Sequence, residues 1–78
     1  MEFRIADSFT SSLAKLTAAE QKAVKTTAFD LQMDASAPGL SFHKVDRAKD
    51  PNFWSVRVNA DIRLIVHRTG SSLLLAYV

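Results

Sequence analysis

Apolar and polar residues alternate along two neighbouring segments of the sequence, residues 54–59 and 62–67. A third segment, residues 73–78, is almost wholly apolar. Alternation with a period of two, carried by β-branched and aromatic residues, is typical of β-strands. The segments between these runs, residues 59–61 and 69–72, are rich in the turn-forming residues Asn, Asp, Gly and Ser. We therefore predict three strands that form an antiparallel meander.

The start of the sequence predicts one short strand and a first helix. Residues 2–6 alternate between polar and apolar, which indicates a strand. Asp7 or Ser8 is expected to cap the following helix, because either side chain can accept a hydrogen bond from a backbone N–H group. The next apolar residues have the i, i+4, i+7 spacing of one helical face: Phe9, Leu13 and Leu16.

A second helix is predicted to begin directly after the first. Thr17 and Glu20 have the spacing of a capping box, in which each side chain accepts a hydrogen bond from the other residue's backbone N–H. The helix is expected to run to about Met33 and to be followed by a loop that contains Pro38 and Gly39. Its core-facing side is expected to comprise Ala23, Val24, Ala28, Phe29 and Leu31.

The predicted order of elements is β-α-α-β-β-β, with residues 40–45 as a further extended segment. Residues 46–52 are polar and contain Pro51, so we expect a surface loop there. We predict an α+β fold in which an antiparallel β-sheet is covered on one face by an α-helical hairpin. The other face of the sheet is then open. Alternation places Arg57, Arg63 and His67 on one face, and Trp54 on the other face in the core. The alternative is that Trp54 and Phe53 stack nucleic-acid bases. The pattern leaves the face of Tyr77 undecided.

The composition is that of one small domain, residues 1–78. The chain has no cysteine, which excludes a disulfide framework and a thiolate metal site, and we expect neither a metal nor a cofactor. No apolar run approaches the roughly 20 residues of a membrane span, and the first residues do not resemble a signal peptide, so we expect a soluble, cytoplasmic protein. Because the apolar run 73–78 ends without a turn or a polar tail, we also expect an N-terminal fragment of a longer protein.

Charge separates the two halves of the sequence: residues 1–40 carry a net charge of −1 and residues 41–78 a net charge of +3. The basic excess in the sheet half fits a phosphate-bearing partner, and it also fits ordinary solvated surface charge. Two arginines on one open face, Arg57 and Arg63, can bind a phosphate bidentately and stabilise charge during phosphoryl transfer. The alternative is that each pairs with an acid such as Asp61.

A histidine and further basic residues extend the candidate site. His67 lies four residues after Arg63, and histidine is a common general acid or base because it titrates near neutral pH. The candidate catalytic residues are therefore Arg57, Arg63 and His67. The alternative for His67 is a half-buried polar residue without a catalytic role. The candidate nucleic-acid-binding residues are His43, Lys44, Arg57, Arg63 and Arg68.

Several short motifs occur in an order that resembles a known family. A first strand precedes a helix with the pattern F-x-x-x-L-x-x-L, and a Pro-Gly-Leu segment ending at Leu40 precedes residues 43–45 (HKV). Two strand motifs follow, residues 54–58 (WSVRV) and 61–65 (DIRLI). Over nearly the whole chain this order resembles the RelE/ParE toxin superfamily. The resemblance implies the fold predicted above.

The resemblance implies two alternative activities. RelE-like toxins are ribosome-dependent messenger-RNA endonucleases, whereas ParE-like toxins poison DNA gyrase, and both are usually bound by an antitoxin chain. Arg57 and Arg63 match the strand part of the RelE site. Ser55 stands where RelE has its first basic strand residue. The arginine, histidine or tyrosine that follows the last strand of RelE-like nucleases is missing here, because the sequence stops at Val78. The resemblance therefore implies an incomplete endoribonuclease site.

The sequence also resembles a RelE-like module at the N-terminus of some bacterial UvrD-type helicase proteins. We therefore expect a regulatory module of a larger, helicase-like protein that binds nucleic acid or protein. The alternative is the toxin of a toxin–antitoxin system, acting as an mRNA endonuclease or a gyrase inhibitor. The expected partners are RNA or DNA, and an antitoxin or the rest of the parent protein, with no membrane.

Overall fold

A computed structural model describes residues 2–46 and 49–78 of the protein. Part of the predicted loop 46–52, including the basic residue Arg47, lies outside the described residues. None of the helices in the described ranges is long and apolar enough to cross a membrane. The elements in chain order are β1 (Glu2–Ile5), α1 (Asp7–Ala14), α2 (Ala18–Met33), a 3₁₀ turn (Pro38–Leu40), β2 (His43–Lys44), β3 (Phe53–Arg57), β4 (Arg63–Thr69) and β5 (Ser72–Tyr77).

The five strands form one sheet in the order β1-β5-β4-β3-β2. Strands β2 to β5 pair antiparallel, as the meander pattern predicts, whereas β1 pairs parallel with β5. The parallel pair arises because the two helices cross one face of the sheet between β1 and the meander. The predicted α+β fold is confirmed, and the sheet is mixed rather than wholly antiparallel.

The two helices begin in different ways. The predicted capping box at α2 is confirmed, because the Glu20 N–H donates to Thr17 Oγ1 over 3.2 Å and the Thr17 N–H donates to Glu20 Oε1 over 2.9 Å. The predicted cap of α1 is wrong. Its N-cap is Ala6, which has no side-chain acceptor, and Asp7 is already helical. The Ser8 hydroxyl instead donates to the carbonyl of Ala76 in β5, so it anchors the helix to the sheet.

The hydrophobic core lies between the helices and one face of β3, β4 and β5. It consists of Phe9, Val24, Leu31, Leu40, Val56, Leu64, Val66, Leu73 and Leu75. Phe29 does not join this core and is 61% exposed, contrary to the sequence prediction. A helix turns about 100° per residue, so Phe29 projects well away from the stripe formed by Val24 and Leu31.

An irregularity in β5 reverses the alternation at the end of the chain. Leu75 pairs with Val66, but Tyr77 pairs with Ile65, so Ala76 is an additional residue opposite the β4 ladder. Tyr77 therefore lies on the open face with Ile65, although strict alternation would place it on the same face as Leu75. The side chain of Val78 packs against the core.

Trp54 lies on the helix-bearing side of the sheet, as predicted. Its ring stacks on Phe42 with centroids 4.7 Å apart, and the Arg68 guanidinium carbon lies 5.1 Å from the Trp54 ring centroid. The indole is half-buried and packs against the core cluster. It therefore belongs to the structural part of the sheet and cannot stack a base bound on the open face.

We predict that Trp54→Ala lowers the free energy of unfolding by about 3 kcal/mol, because the ring loses its contacts with Phe42 and the core. The matched control is Phe29→Ala, which removes an exposed aromatic ring and should cost about 0.5 kcal/mol or less. Chemical denaturation of both variants measures the difference. A loss below about 1 kcal/mol for Trp54→Ala would contradict the core placement.

Candidate functional site

The open face is the sheet surface that the helices leave uncovered. Strand register arranges its side chains in three neighbouring rows, spaced about 7 Å apart along the strands. The arginine row consists of Arg57 and Arg63. The middle row consists of His43, Ser55, Ile65 and Tyr77. The histidine row consists of Phe53, His67, Leu74 and Arg4.

The arginine row brings two like charges together. Arg57 and Arg63 are directly paired across β3 and β4, and both are exposed. The ion pairs among the described residues join Arg4 to Glu2 and His67 to Asp50, so neither arginine of this row has a carboxylate partner there. Like charges directly opposite one another destabilise a sheet. A bound anion would offset that repulsion.

The turn between β3 and β4 holds the arginine row in place. The Asn59 side-chain oxygen accepts the N–H groups of Asp61 and Ile62, each over 2.9 Å. The Asn59 carbonyl accepts a hydrogen bond from Arg63 Nη1 over 3.1 Å. The predicted alternative, an ion pair with Asp61, is therefore absent from the described residues. One guanidinium is oriented by the turn while its other N–H groups stay available to a ligand.

His67 lies apart from the arginine row. It follows Arg63 by four residues on the same face of β4, which corresponds to about 13 Å along a strand. Its Nε2 lies 2.8 Å from Asp50 Oδ2. The rings of His67 and Phe53 form a T-shaped pair, with centroids 4.9 Å apart and an interplanar angle of 76°. The structure therefore does not bring the three candidate catalytic residues to one point.

The carboxylate of Asp50 determines how His67 is oriented. The Asn52 backbone N–H donates to Asp50 Oδ1 over 2.9 Å. This hydrogen bond, followed by that from His67, lowers the pKa of Asp50 below its ordinary value. An ionised carboxylate only accepts hydrogen bonds, so the Nε2 of His67 must carry the proton. Asp50 and His67 thereby attach residues 49–52 to β4.

The predicted nucleic-acid-binding residues divide between two faces. His43 lies in the middle row, where its Nδ1 is 2.7 Å from the Ser41 carbonyl. Lys44 pairs with Trp54 and lies on the helix-bearing side. Arg68 lies on that side as well, above the rings of Phe42 and Trp54. Neighbouring residues of a strand point in opposite directions, so a single ligand on the open face cannot contact all five candidates.

Two hollows border the open face. One, of about 400 Å³, is lined by His43, Ser55 and Arg63, together with the acid Asp46. The other, of about 310 Å³, is lined by residues that include Arg4 and His67. No cluster of potential metal ligands is present in residues 2–46 and 49–78. Each hollow is thus bordered by an arginine, Arg63 in the first and Arg4 in the second.

Sequence reasoning missed two residues of this surface. The sequence predicts only a polar loop around Asp50, and no local pattern connects it with His67, from which it is separated by 17 positions. The alternating pattern does not determine the direction of Tyr77, because that direction depends on the additional residue in β5. An irregularity of this kind changes the side-chain period without requiring a special residue at its centre.

Comparison with solved structures identifies the fold. A YoeB/ParE toxin from Agrobacterium tumefaciens has a similar structure, with a TM-score of 0.75 and 15% sequence identity. The match covers 99% of this chain and 94% of the toxin chain. The fold is that of the YoeB/ParE toxins. The structure of the YoeB dimer from Staphylococcus aureus is also similar, with a TM-score of 0.72 and 11% sequence identity. The match covers 99% of this chain and 92% of the YoeB chain.

A third toxin of this fold is a copper-bound mutant from Helicobacter pylori, with a TM-score of 0.63 and 16% identity. The match covers 99% of this chain and 90% of the toxin. Comparison with protein-family models and with curated proteins gives no match. The toxin fold implied by the sequence motifs is therefore confirmed, and the association with a helicase stays a prediction.

The Asp50–His67 pair predicts a pH dependence of stability. Folding lowers the pKa of Asp50 from its ordinary value of 3.8. Ionised Asp50 therefore stabilises the folded state at pH values above this ordinary pKa. The stabilisation is lost as the pH falls through the lower pKa of Asp50 in the folded state. Asp50→Asn keeps an acceptor for the Asn52 N–H but cannot ionise. We predict that the free energy of unfolding falls more steeply between about pH 5 and about pH 2 in the wild type than in this variant.

Denaturant titrations at a series of pH values measure both curves. The control is Asp61→Asn, which removes an exposed carboxylate from the β3–β4 turn and should follow the wild-type curve. If the free energy of unfolding depends on pH in the same way in the wild type and in Asp50→Asn, the ionisation of Asp50 does not stabilise the folded state.

Proposed function

We propose that this chain is a toxin-like regulatory module that binds nucleic acid on its open face. The single observation that carries the proposal is the arginine row. Arg57 and Arg63 lie side by side on the sheet surface that the helices leave uncovered, and neither forms an ion pair with a carboxylate of the described residues. The acids Asp30 and Asp34 share a hollow with Arg57, without an ion pair to it. Guanidinium groups bind phosphate oxygens bidentately, so two of them at adjacent positions suit the backbone of RNA or DNA.

The same geometry argues for binding rather than efficient cleavage. Cleavage of a phosphodiester is fastest when a base, an acid and a charge-stabilising group meet at one phosphorus atom. Here His67 lies about 13 Å from the arginine row along β4, and its Nε2 is held by Asp50. Ser55, between the two rows, has no basic side chain. Nuclease activity of this chain is therefore expected to be weak or absent.

The proposal is tested with single-stranded RNA and DNA oligonucleotides and the double variant Arg57→Ala/Arg63→Ala. We predict that the variant loses affinity and that the slope of log K against log salt concentration becomes less negative by about 1.4, because two phosphate contacts are removed. Fluorescence anisotropy at several salt concentrations measures both quantities.

The matched control is Lys22→Ala/Lys25→Ala, which removes the same charge from exposed positions of α2. It should bind nearly as the wild type does. Equal losses in the two double variants would mean that net charge, and not the arginine row, determines binding. No binding by the wild type would contradict the proposed function.

A second candidate function is that of a free toxin, favoured by the match to 94% of the Agrobacterium toxin chain. In that case induced expression should arrest bacterial growth, and Arg57→Ala/Arg63→Ala should relieve the arrest if the arginine row contacts the target. Growth curves measure this, and harmless expression would contradict it. RelE-type action predicts cleaved messenger RNA, whereas ParE-type action predicts capture of gyrase.

The helicase parent is a separate part of the proposal, supported by the sequence resemblance described above. A gene that continues beyond Val78 into helicase motifs would support it, and a stop codon a few residues after Val78 would contradict it. An antitoxin encoded next to the gene would instead favour the free toxin.

A further inference from the structure

A further hollow, of about 400 Å³, lies beside the C-terminal end of α2. It is bounded by the last turns of α2, by the 3₁₀ turn and the segment before it, and by the end of β3. Its charged lining residues are Asp30, Asp34 and Arg57, so the lining carries a net charge of −1. We call this cavity the α2 hollow.

The two acids of the α2 hollow lie in an unfavourable position on the helix. Asp34 is the C-cap of α2, one turn after Asp30, and like charges at this spacing destabilise a helix. Both also lie at the negative end of the helix dipole, and the last turn of α2 contains no basic residue. Neither acid forms an ion pair among the described residues, and Arg57 is no exception. A cation bound between the carboxylates would offset both costs.

Asp34 is ionised at neutral pH. The Ser36 hydroxyl and the Ser36 backbone N–H donate to Asp34 Oδ1 over 2.6 Å and 3.0 Å, and these bonds lower the pKa of Asp34 below its ordinary value. Asp34 Oδ2 accepts no hydrogen bond from the described residues. The carboxylate is therefore fixed by one oxygen, and the other is available to a ligand.

Thr27 adds a neutral acceptor to the same hollow. It lines the hollow and is only 7% exposed, so more than nine-tenths of the residue is buried. Its neighbour Thr26 donates to the Lys22 carbonyl, whereas the Thr27 hydroxyl has no hydrogen-bond partner among the described residues. No fully enclosed side-chain oxygen or nitrogen in residues 2–46 and 49–78 lacks a partner. The unpaired hydroxyl must therefore be in contact with the hollow, where a ligand can reach it.

The rest of the lining is mainly apolar. It includes Met33, which is 72% exposed, and Leu40, which is buried in the core. The hollow thus combines two carboxylates and a hydroxyl with apolar surface. A cationic head on an aliphatic stem has the complementary character, because its methylene groups pack on apolar surface while its charge stays with polar partners.

We propose that the α2 hollow binds a primary ammonium group on an aliphatic stem, with Asp30 and Asp34 as its charge partners and Thr27 as a hydrogen-bond acceptor. An ammonium group has three N–H donors and no acceptor, so it suits two carboxylates and a hydroxyl. A metal ion such as Ca²⁺ takes about six to eight oxygen ligands and suits this small set less well. The proposal goes beyond nucleic-acid binding on the open face and does not depend on it.

The probe is Nα-acetyl-lysine amide, and its matched control is Nα-acetyl-norleucine amide, which has the same aliphatic stem without the ammonium group. Titrations followed by ¹H–¹⁵N NMR report on the amides of Thr27, Asp30 and Asp34. We predict saturable shifts of these signals with the lysine derivative and none with the norleucine derivative. Added salt should weaken the binding, because the attraction is between charges at a partly open site.

Three variants test the named partners. Asp30→Asn should bind the lysine derivative about tenfold more weakly, and Thr27→Val, which replaces the hydroxyl by a methyl group, about threefold more weakly. Thr27→Ser keeps the hydroxyl and should bind within about twofold of the wild type. The control variant is Glu2→Gln, which removes the same charge from β1, separated from β3 by β5 and β4, and should bind as the wild type does. Denaturation curves establish that each variant is folded.

The lysine side chain of a partner protein and a free polyamine both carry the required group. A titration with spermidine, compared with a short lysine-containing peptide, distinguishes these sources, and tighter binding of either one supports the ammonium site. Absence of saturable shifts with all three ammonium probes would overturn the proposal. Equal shifts with the norleucine derivative would overturn it as well, and so would equal losses of affinity in Asp30→Asn and Glu2→Gln. These variants leave the arginine row unchanged, so the result is independent of the nucleic-acid test.

Discussion

The burial of one face of β4 is the constraint on which the rest of the structure depends. Leu64 and Val66 are fully buried beneath the helices. The side chains of a strand alternate strictly, so burying these two directs Arg63 and His67 to the opposite surface. A shift of one residue in register would place an arginine in the core, where an unpaired charge costs several kcal/mol. The core thereby determines the composition of the open face.

The irregularity in β5 is the exception that changes the character of this surface. Up to Leu75 the strand follows the alternation set by β4, and beyond it Ala76 adds one residue. Tyr77 moves to the open face, and Val78 packs against the core. One additional residue therefore has two consequences at once. It closes the core at the end of the strand and exposes an aromatic ring next to the arginine row.

The ionisable side chains of β4 on the open face lie near its two ends. Arg63, at the start of the strand, lies beside Arg57, and their mutual repulsion is a cost that a phosphate ligand would offset. His67, near the other end, is engaged with Asp50 and holds residues 49–52 to the sheet. The two residues are separated by four positions, about 13 Å along the strand. Among the described residues, the open face therefore presents the paired arginines at one end and the Asp50–His67 pair at the other.

Local patterns in the sequence are sufficient to predict the helices, the strands and most of the fold. The period of two in the last third determined β3, β4 and β5, and the capping box determined the start of α2, because both depend only on residues a few positions apart. The same alternation placed Arg57 and Arg63 on one face. The tertiary structure alone decided the parallel pairing of β1, the partnership of Asp50 with His67 and the direction of Tyr77. Each of these depends on how distant segments meet, and neither a loop closure nor an additional residue in a strand has a local signature.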